Sequence, residues 1–209
     1  MKRGEVLLAR YRVVDEIVVG TFSSVYRGLD ERLNRPVCIK LFAQVEGEGS
    51  IWRIAREHFI QEAFALSSLS HPNTLRIYDF GYLEQTGVPF QVSEYMNGGH
   101  IGELVRRTGP MVPREALRIV AMLADALDEA HSNELVHRDI KPSNILLADI
   151  GGSVEPKLAD FGIAKSLVGA ARANRTDTAM TDRHARMYSA RWAAPEQLLG
   201  VDVDPSCDV

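Results

Sequence analysis

The stretch VHRDIKPSNILL, residues 136–147, restricts the possible folds more than any other part of the chain. An acid, a base and an amide stand close together as Asp139, Lys141 and Asn144. Val136 precedes them, and Ile145, Leu146 and Leu147 follow. Pro142 has a fixed φ and no N–H, so no regular helix runs through the middle. The segment is therefore an irregular loop held between apolar runs. A loop of that kind is costly to bury unless its polar groups have partners. Those partners can be ligands.

The rest of the chain supplies enough material to hold such a loop. Its 209 residues suffice for one large domain or two small lobes. An apolar fraction of 45% and a charged fraction of 25% are ordinary for a globular protein. A net charge of −4 argues against nucleic acid as a partner. Cys38 and Cys207 are far apart and form no C-x-x-C, so a reduced, cytoplasmic protein without a disulfide framework is expected. The opening MKRGEVLLAR has a basic tip, but its apolar part is too short for a signal peptide. No run approaches the ~18 apolar residues of a membrane span, so no membrane segment is expected in this chain; an anchor beyond residue 209 stays open. None of the six histidines stands at metal-ligand spacing from another His or Cys.

Local patterns predict a β-rich first part. YRVVDEIVV, SSVYRGLD and PVCIKLF read as strands. From Ile51 the period becomes helical: Phe59, Ala63 and Leu66, with Ile60, Phe64 and Leu69, predict one apolar face on a helix to about Ser70. TLRIYDFGYL and VPFQVSEYM then read as a hairpin around EQTG. NGGH reads as a hinge. The next helix starts at Pro113, which suits a first turn, and Ala116, Val120, Leu123, Leu127 and Ala130 predict its buried face. EPKLADFGIAK reads as a short strand and turn, and residues 166–190 as a polar, aperiodic loop. The expected class is α+β, with a β-rich lobe of antiparallel strands and one helix over 1–95 and a helical lobe over 96–209.

HRDIKPSN, then DFG at 160–162 and APE at 194–196, in that order, resemble the catalytic loop, metal-binding motif and activation-segment end of protein kinases. The resemblance covers about Tyr11 to Val209 and implies a two-lobed kinase fold whose helical lobe lacks its last helices. It implies transfer of the ATP γ-phosphoryl to a protein, a reaction that needs positioning and charge neutralisation more than covalent help. Asp139 would orient the substrate hydroxyl and accept its proton. Lys141 would neutralise charge on the transferred group, and a Lys there resembles serine/threonine rather than tyrosine kinases. Asn144 and Asp160 would give hard oxygen ligands to Mg2+. Lys40 in VCIK would hold the phosphates, with Glu62 as its partner. The phosphate loop VVGTFSSVY would place Val18, Gly20 and Ser23 at the family's three glycine positions, with Val25 following. Main-chain groups of Glu94 and Met96 in SEYM would bind adenine, Ser93 would be the residue behind it, and His100 reads as a surface turn residue. HPNTLRIYDFG and APEQLLG look most like bacterial serine/threonine kinases.

Three departures keep other readings open. Only one glycine of the phosphate loop is present, Gly20. YSARWAAPE replaces the usual G-T-P-x-Y before APE, with Ser189 at the substrate-positioning Thr and Trp192 at the aromatic. The segment of the family that carries the Arg partner of Glu196 lies beyond DPSCDV, so residues 1–209 alone are expected to be inactive. Besides a serine/threonine protein kinase, the residues allow a nucleotide-binding pseudokinase or signalling scaffold, or a kinase-like fold acting on a small molecule. Thr176, Thr178 and Thr181 are candidate phosphosites. Asp208 matches the family's anchor for the catalytic-loop backbone.

Overall fold

The computed structural model describes residues 1–20, 22–43, 50–161, 191–199 and 203–209. Thr176, Thr178, Thr181, Ser189 and the glycine of DFG lie outside the described residues. The chain divides into two compact units: Met1–Ser68 with Leu75–Met96, and Leu69–Thr74 with Asn97–Val209.

The first unit is a six-stranded sheet with one helix. The strands are β1 (Val6–Leu7), β2 (Tyr11–Val19), β3 (Ser23–Asp30), β4 (Arg35–Phe42), β5 (Ile77–Tyr82) and β6 (Pro89–Glu94), in the order β1-β2-β3-β4-β6-β5. All neighbours are antiparallel. Alternation along each strand separates two faces. Val37 and Ile39 of β4 join Tyr11, Val13, Tyr26, Phe90 and Val92 in one buried cluster. Phe42, at the other parity of β4, packs instead with Ala55 and Phe59 of the helix α1 (Ser50–Ser68). Lys40 shares that parity, which directs it toward α1. Asp30 closes the β3–β4 turn: it is buried, accepts from Arg10 Nη2 at 2.6 Å and from the N–H groups of Arg32 and Leu33, and is held down at about 2 chiefly by Arg10.

Helix α1 buries Ala55, Phe59, Ala63 and Leu66, a stripe at helical spacing. Phe64, expected on that face, is 61% exposed and instead meets the Phe80 ring at 5.8 Å. It sits one residue round from Ala63, and a 3.6-residue period rotates neighbours by about 100°.

The second unit contains α2 (Ile101–Thr108), α3 (Pro113–Ser132), a 3-10 turn (Pro142–Asn144), the hairpin β7 (Ile145–Ile150) and β8 (Ser153–Leu158), α4 (Pro195–Leu199) and a final 3-10 turn (Pro205–Asp208). Helix α3 buries Ile119, Leu123, Ala126, Leu127 and Ala130. The predicted face was turned by about one residue at its start: Ile119 is buried and Val120 is 61% exposed. Arg118 fixes the rotation, because its Nη2 donates to the Val154 carbonyl of β8 at 2.6 Å. The SHPN stretch also belongs to this unit. Glu129 of α3 accepts from Ser70 N–H, Ser70 Oγ and His71 N–H, and Asn73 Nδ2 donates to Pro156 O at 2.7 Å.

The glycines of NGGH serve close packing. Gly98 N–H donates to Leu147 O at 2.8 Å, and a Cβ on Gly98 would lie 2.8 Å from that same oxygen. Leu147 N–H returns a bond to Gly99 O. His100 then caps α2: its side chain accepts from Glu103 N–H, and the Glu103 side chain accepts from the His100 N–H.

Candidate active site

In the first unit, Lys40 and Glu62 meet. Lys40 Nζ donates to Glu62 Oε1 at 2.9 Å, with both side chains mostly buried. Cross-strand pairing places Val25 and Gln91 on either side of Lys40. The β2–β3 turn is closed by Gly20 N–H donating to Ser23 O at 2.8 Å, and a Cβ on Gly20 would lie 3.0 Å from that oxygen. A side chain there would crowd the turn. Val18 and Ser23 lie in the extended strands β2 and β3, Val18 opposite Val25, and neither has positive φ. The missing glycines cost no backbone strain.

At the end of β6, Glu94 is tied to the residue before β5: its N–H donates to Arg76 O at 3.0 Å and its Oε1 accepts from Arg76 N–H at 2.7 Å. Ser93 is buried, and its Oγ donates to Glu94 O at 3.2 Å. Met96 is half-buried.

In the second unit, the loop of residues 136–144 is held almost entirely by polar bonds. Lys141 Nζ donates to Asp139 Oδ2 at 2.8 Å, and Asn144 Nδ2 donates to the same oxygen at 3.1 Å and to Asp139 O at 3.0 Å. Ala159 N–H donates to Asn144 O at 2.9 Å, which brings Asp160 beside the loop. Asp160 and Arg138 both have left-handed backbone, at φ 57 and φ 63. Each such non-glycine residue costs about 1–3 kcal/mol and persists only where the surroundings impose it.

Those surroundings are visible around Arg138. The Asp208 carboxylate, buried, accepts from His137 N–H and Arg138 N–H, each at 2.7 Å, and its Oδ2 lies 2.9 Å from His131 Nε2. The His137 ring is fully buried against Phe161, with centroids 4.5 Å apart. Asp139 N–H donates to its Nδ1 at 3.2 Å, so the ring proton sits on Nε2 and donates to Ala159 O. Sequence reasoning missed His131 and Gln197, whose Nε2 donates to Arg138 O at 2.8 Å. A Gln at the third position of a Pro-initiated helix was the available signal for the latter.

Burial lowers the pKa of His137, with the Asp208 charge opposing. His58 of α1 is also lowered by burial, and among the described residues neither of its ring nitrogens has a hydrogen-bond partner. For both, the folded state binds a proton less readily than the unfolded chain. Their neutral forms therefore favour folding fully above about pH 6.5, and that contribution is lost progressively as pH falls below this value toward the depressed folded pKa. We expect the melting temperature of the full-length protein to fall between about pH 7.5 and pH 5.5, and the drop to be smaller in His137→Phe. An equal drop in both proteins would contradict this.

Residues 11–209 match the family described as protein kinase domain. The chain belongs to the protein kinase family. Its domain is similar to those of bacterial serine/threonine kinases. It is 33% identical over 208 residues to a probable serine/threonine-protein kinase PknB of Lactococcus lactis, covering 99% of this chain and 30% of the relative. It is 36% identical over 199 residues to the serine/threonine-protein kinase PrkC of Bacillus subtilis, covering 94% and 28%. With the serine/threonine-protein kinase PknA of Mycobacterium tuberculosis the identity is 35% over 209 residues, covering 99% and 45%. The chain thus spans less than half the length of these relatives. Among solved structures, the PpkA-294 apo form matches with TM-score 0.82 at 24% identity, covering 100% of this chain and 74% of that one. The kinase domain of Mycobacterium tuberculosis PknI matches with TM-score 0.69 at 27% identity, covering 100% and 72%. The fold is the α+β protein kinase fold, a β-rich sheet unit with one helix followed by a partial helical lobe. Among the described residues no helix is long and apolar enough to cross a membrane.

Magnesium is the ion this family implies, and the donor set fits it. Asn144 turns its Nδ2 to Asp139, so Oδ1, which accepts from Ser143 Oγ at 3.4 Å, is the oxygen it would offer a cation, and Asp160, which follows the Ala159 bonded to Asn144 O, would add a carboxylate. Mg2+ takes few protein oxygens and completes its shell with water and phosphate.

Proposed function

We propose that the chain is the catalytic domain of a kinase that transfers the γ-phosphoryl of Mg2+-ATP to Ser or Thr of protein substrates. The observation that carries this is the Asp139 carboxylate, whose Oδ2 is shared by Lys141 and Asn144 on a loop anchored at both ends. An ammonium and an amide on one oxygen fix the carboxyl's rotamer. Asp139 would then take the hydroxyl proton as the acceptor oxygen attacks. Lys141 would place positive charge at the transferred group. Asn144 and Asp160 would hold Mg2+, which when bound neutralises phosphate charge. Lys40, oriented by Glu62, would bind the phosphates, with Val18, Gly20, Ser23 and Val25 around them, and the main chain of Glu94 and Met96 would take the adenine.

The scaffold reading leans on Val18, Ser23 and the segment YSARWAAPE. Val18 and Ser23 occupy ordinary strand positions, and the tight turn position keeps its glycine, so the departures in the phosphate loop weigh little against catalysis.

The test is transfer of labelled γ-phosphate by a full-length protein to peptides offering Ser, Thr or Tyr. Transfer to Ser or Thr is expected. Labelling of Tyr alone, or of none with ATP still bound, rejects the reading. In the same assay Lys40→Met should lower kcat/KM on the order of a hundredfold, since a charge aimed at the phosphates is removed.

A further inference from the structure

Gln197 makes two bonds of different kinds. It is the third residue of α4, and its Oε1 accepts from Ala194 N–H at 2.9 Å while Gln197 N–H donates to Ala194 O. That is a helix cap, and a Glu would make it equally well. The second bond has no capping role. Nε2 donates at 2.8 Å to the carbonyl of Arg138, 59 residues away. Only an amide does both, and the side chain is buried at 7% exposure.

The carbonyl it holds belongs to the peptide unit that leads into Asp139. The N–H of the same unit donates to His137 Nδ1. The preceding N–H, that of Arg138, donates to Asp208. The left-handed turn at Arg138 is therefore clamped on successive peptide units by Asp208, His137 and Gln197. Removing the last clamp frees the unit that sets the direction of the Asp139 side chain.

Resting on the kinase reading above, we propose that Gln197 is a positioning residue that ties the end of the segment at 191–195 to the catalytic loop and aims Asp139. A substrate peptide that orders this segment would thereby also order the acid.

Gln197→Glu separates this role from capping. The introduced carboxylate still caps Ala194 but cannot donate to the Arg138 carbonyl until it is protonated. In a full-length protein near pH 8 we expect kcat about tenfold lower, with KM for ATP within about twofold. Between about pH 8 and pH 6 the ratio of variant to unsubstituted kcat should rise several-fold, because burial raises a carboxyl's pKa into that range. Gln197→Met, which lacks both bonds, should be slow with no such rise. Should it fail to fold, Gln197→Glu decides alone. A flat ratio with pH, or kcat equal to the unsubstituted protein, overturns the proposal while leaving the kinase reading intact. No transfer by the unsubstituted protein defeats that reading and this inference with it.

Discussion

Asp139→Asn should lower kcat by about 10²–10⁴-fold and leave Mg2+-ATP affinity within about twofold. The size of the loss is that of a positioned proton acceptor. The replacement keeps the shape of the side chain but removes its charge and one acceptor oxygen. Where Lys141 Nζ and Asn144 Nδ2 now converge on Oδ2, an amide nitrogen would meet two donors. An amide flip relieves that conflict, so the fold should survive while the basic atom is lost. Asp160→Asn should behave differently, weakening Mg2+-ATP binding because its carboxylate is proposed as a ligand of the cation. Titration calorimetry with Mg2+-ATP, beside steady-state transfer to a Ser/Thr peptide, reads both quantities. Unchanged turnover in Asp139→Asn would sink the proposed role.

Asp208→Ala should have the second largest effect, on stability and turnover together. Its buried carboxylate serves the His137 and Arg138 N–H groups and the His131 ring. Truncation leaves buried donors unmatched, at about 1–3 kcal/mol for each that water cannot reach. A net loss of about 3 kcal/mol corresponds to roughly 6–12 °C in melting temperature for a domain of this size. The left-handed Arg138 would relax once its N–H is released, and Asp139 would lose its aim. Thermal melts and kcat on the same full-length preparation test this. A variant that melts like the unsubstituted protein would show that the loop holds itself.

Much of the site was legible because its chemistry depends on residue types at short spacing. Asp139, Lys141 and Asn144 lie within one loop, and Pro142 alone excludes a helix there. Lys40 and Glu62 were legible only through the family pattern, since nothing local joins a strand lysine to a helix glutamate. The hairpin β7–β8 was half visible: ILLADI is a mixed run that could equally continue the loop, and its strand character comes from pairing with SVEPKL. Helix α2 was missed because IGELVRRT is short and no buried residue marks its face; His100 caps it locally through Glu103, while Gly98 before it packs against Leu147, far along the chain.

The sequence by itself determined which residues are candidates for phosphoryl-transfer chemistry and the order of the main strands and the two long helices that carry most of them. Both follow from periodicity, turn residues and close-set motifs, which act over a few residues. Tertiary structure alone decided the rotation of α1 and α3, which exposes Phe64 and Val120. It alone decided that Arg138 is left-handed and that His137 and Gln197 join Asp208 in holding it so. A helix's local pattern leaves its face uncertain by about one residue, and only the partner surface breaks the tie. A strained backbone conformation has no local signature at all, because the bonds that stabilise it come from residues 59 and 70 positions away.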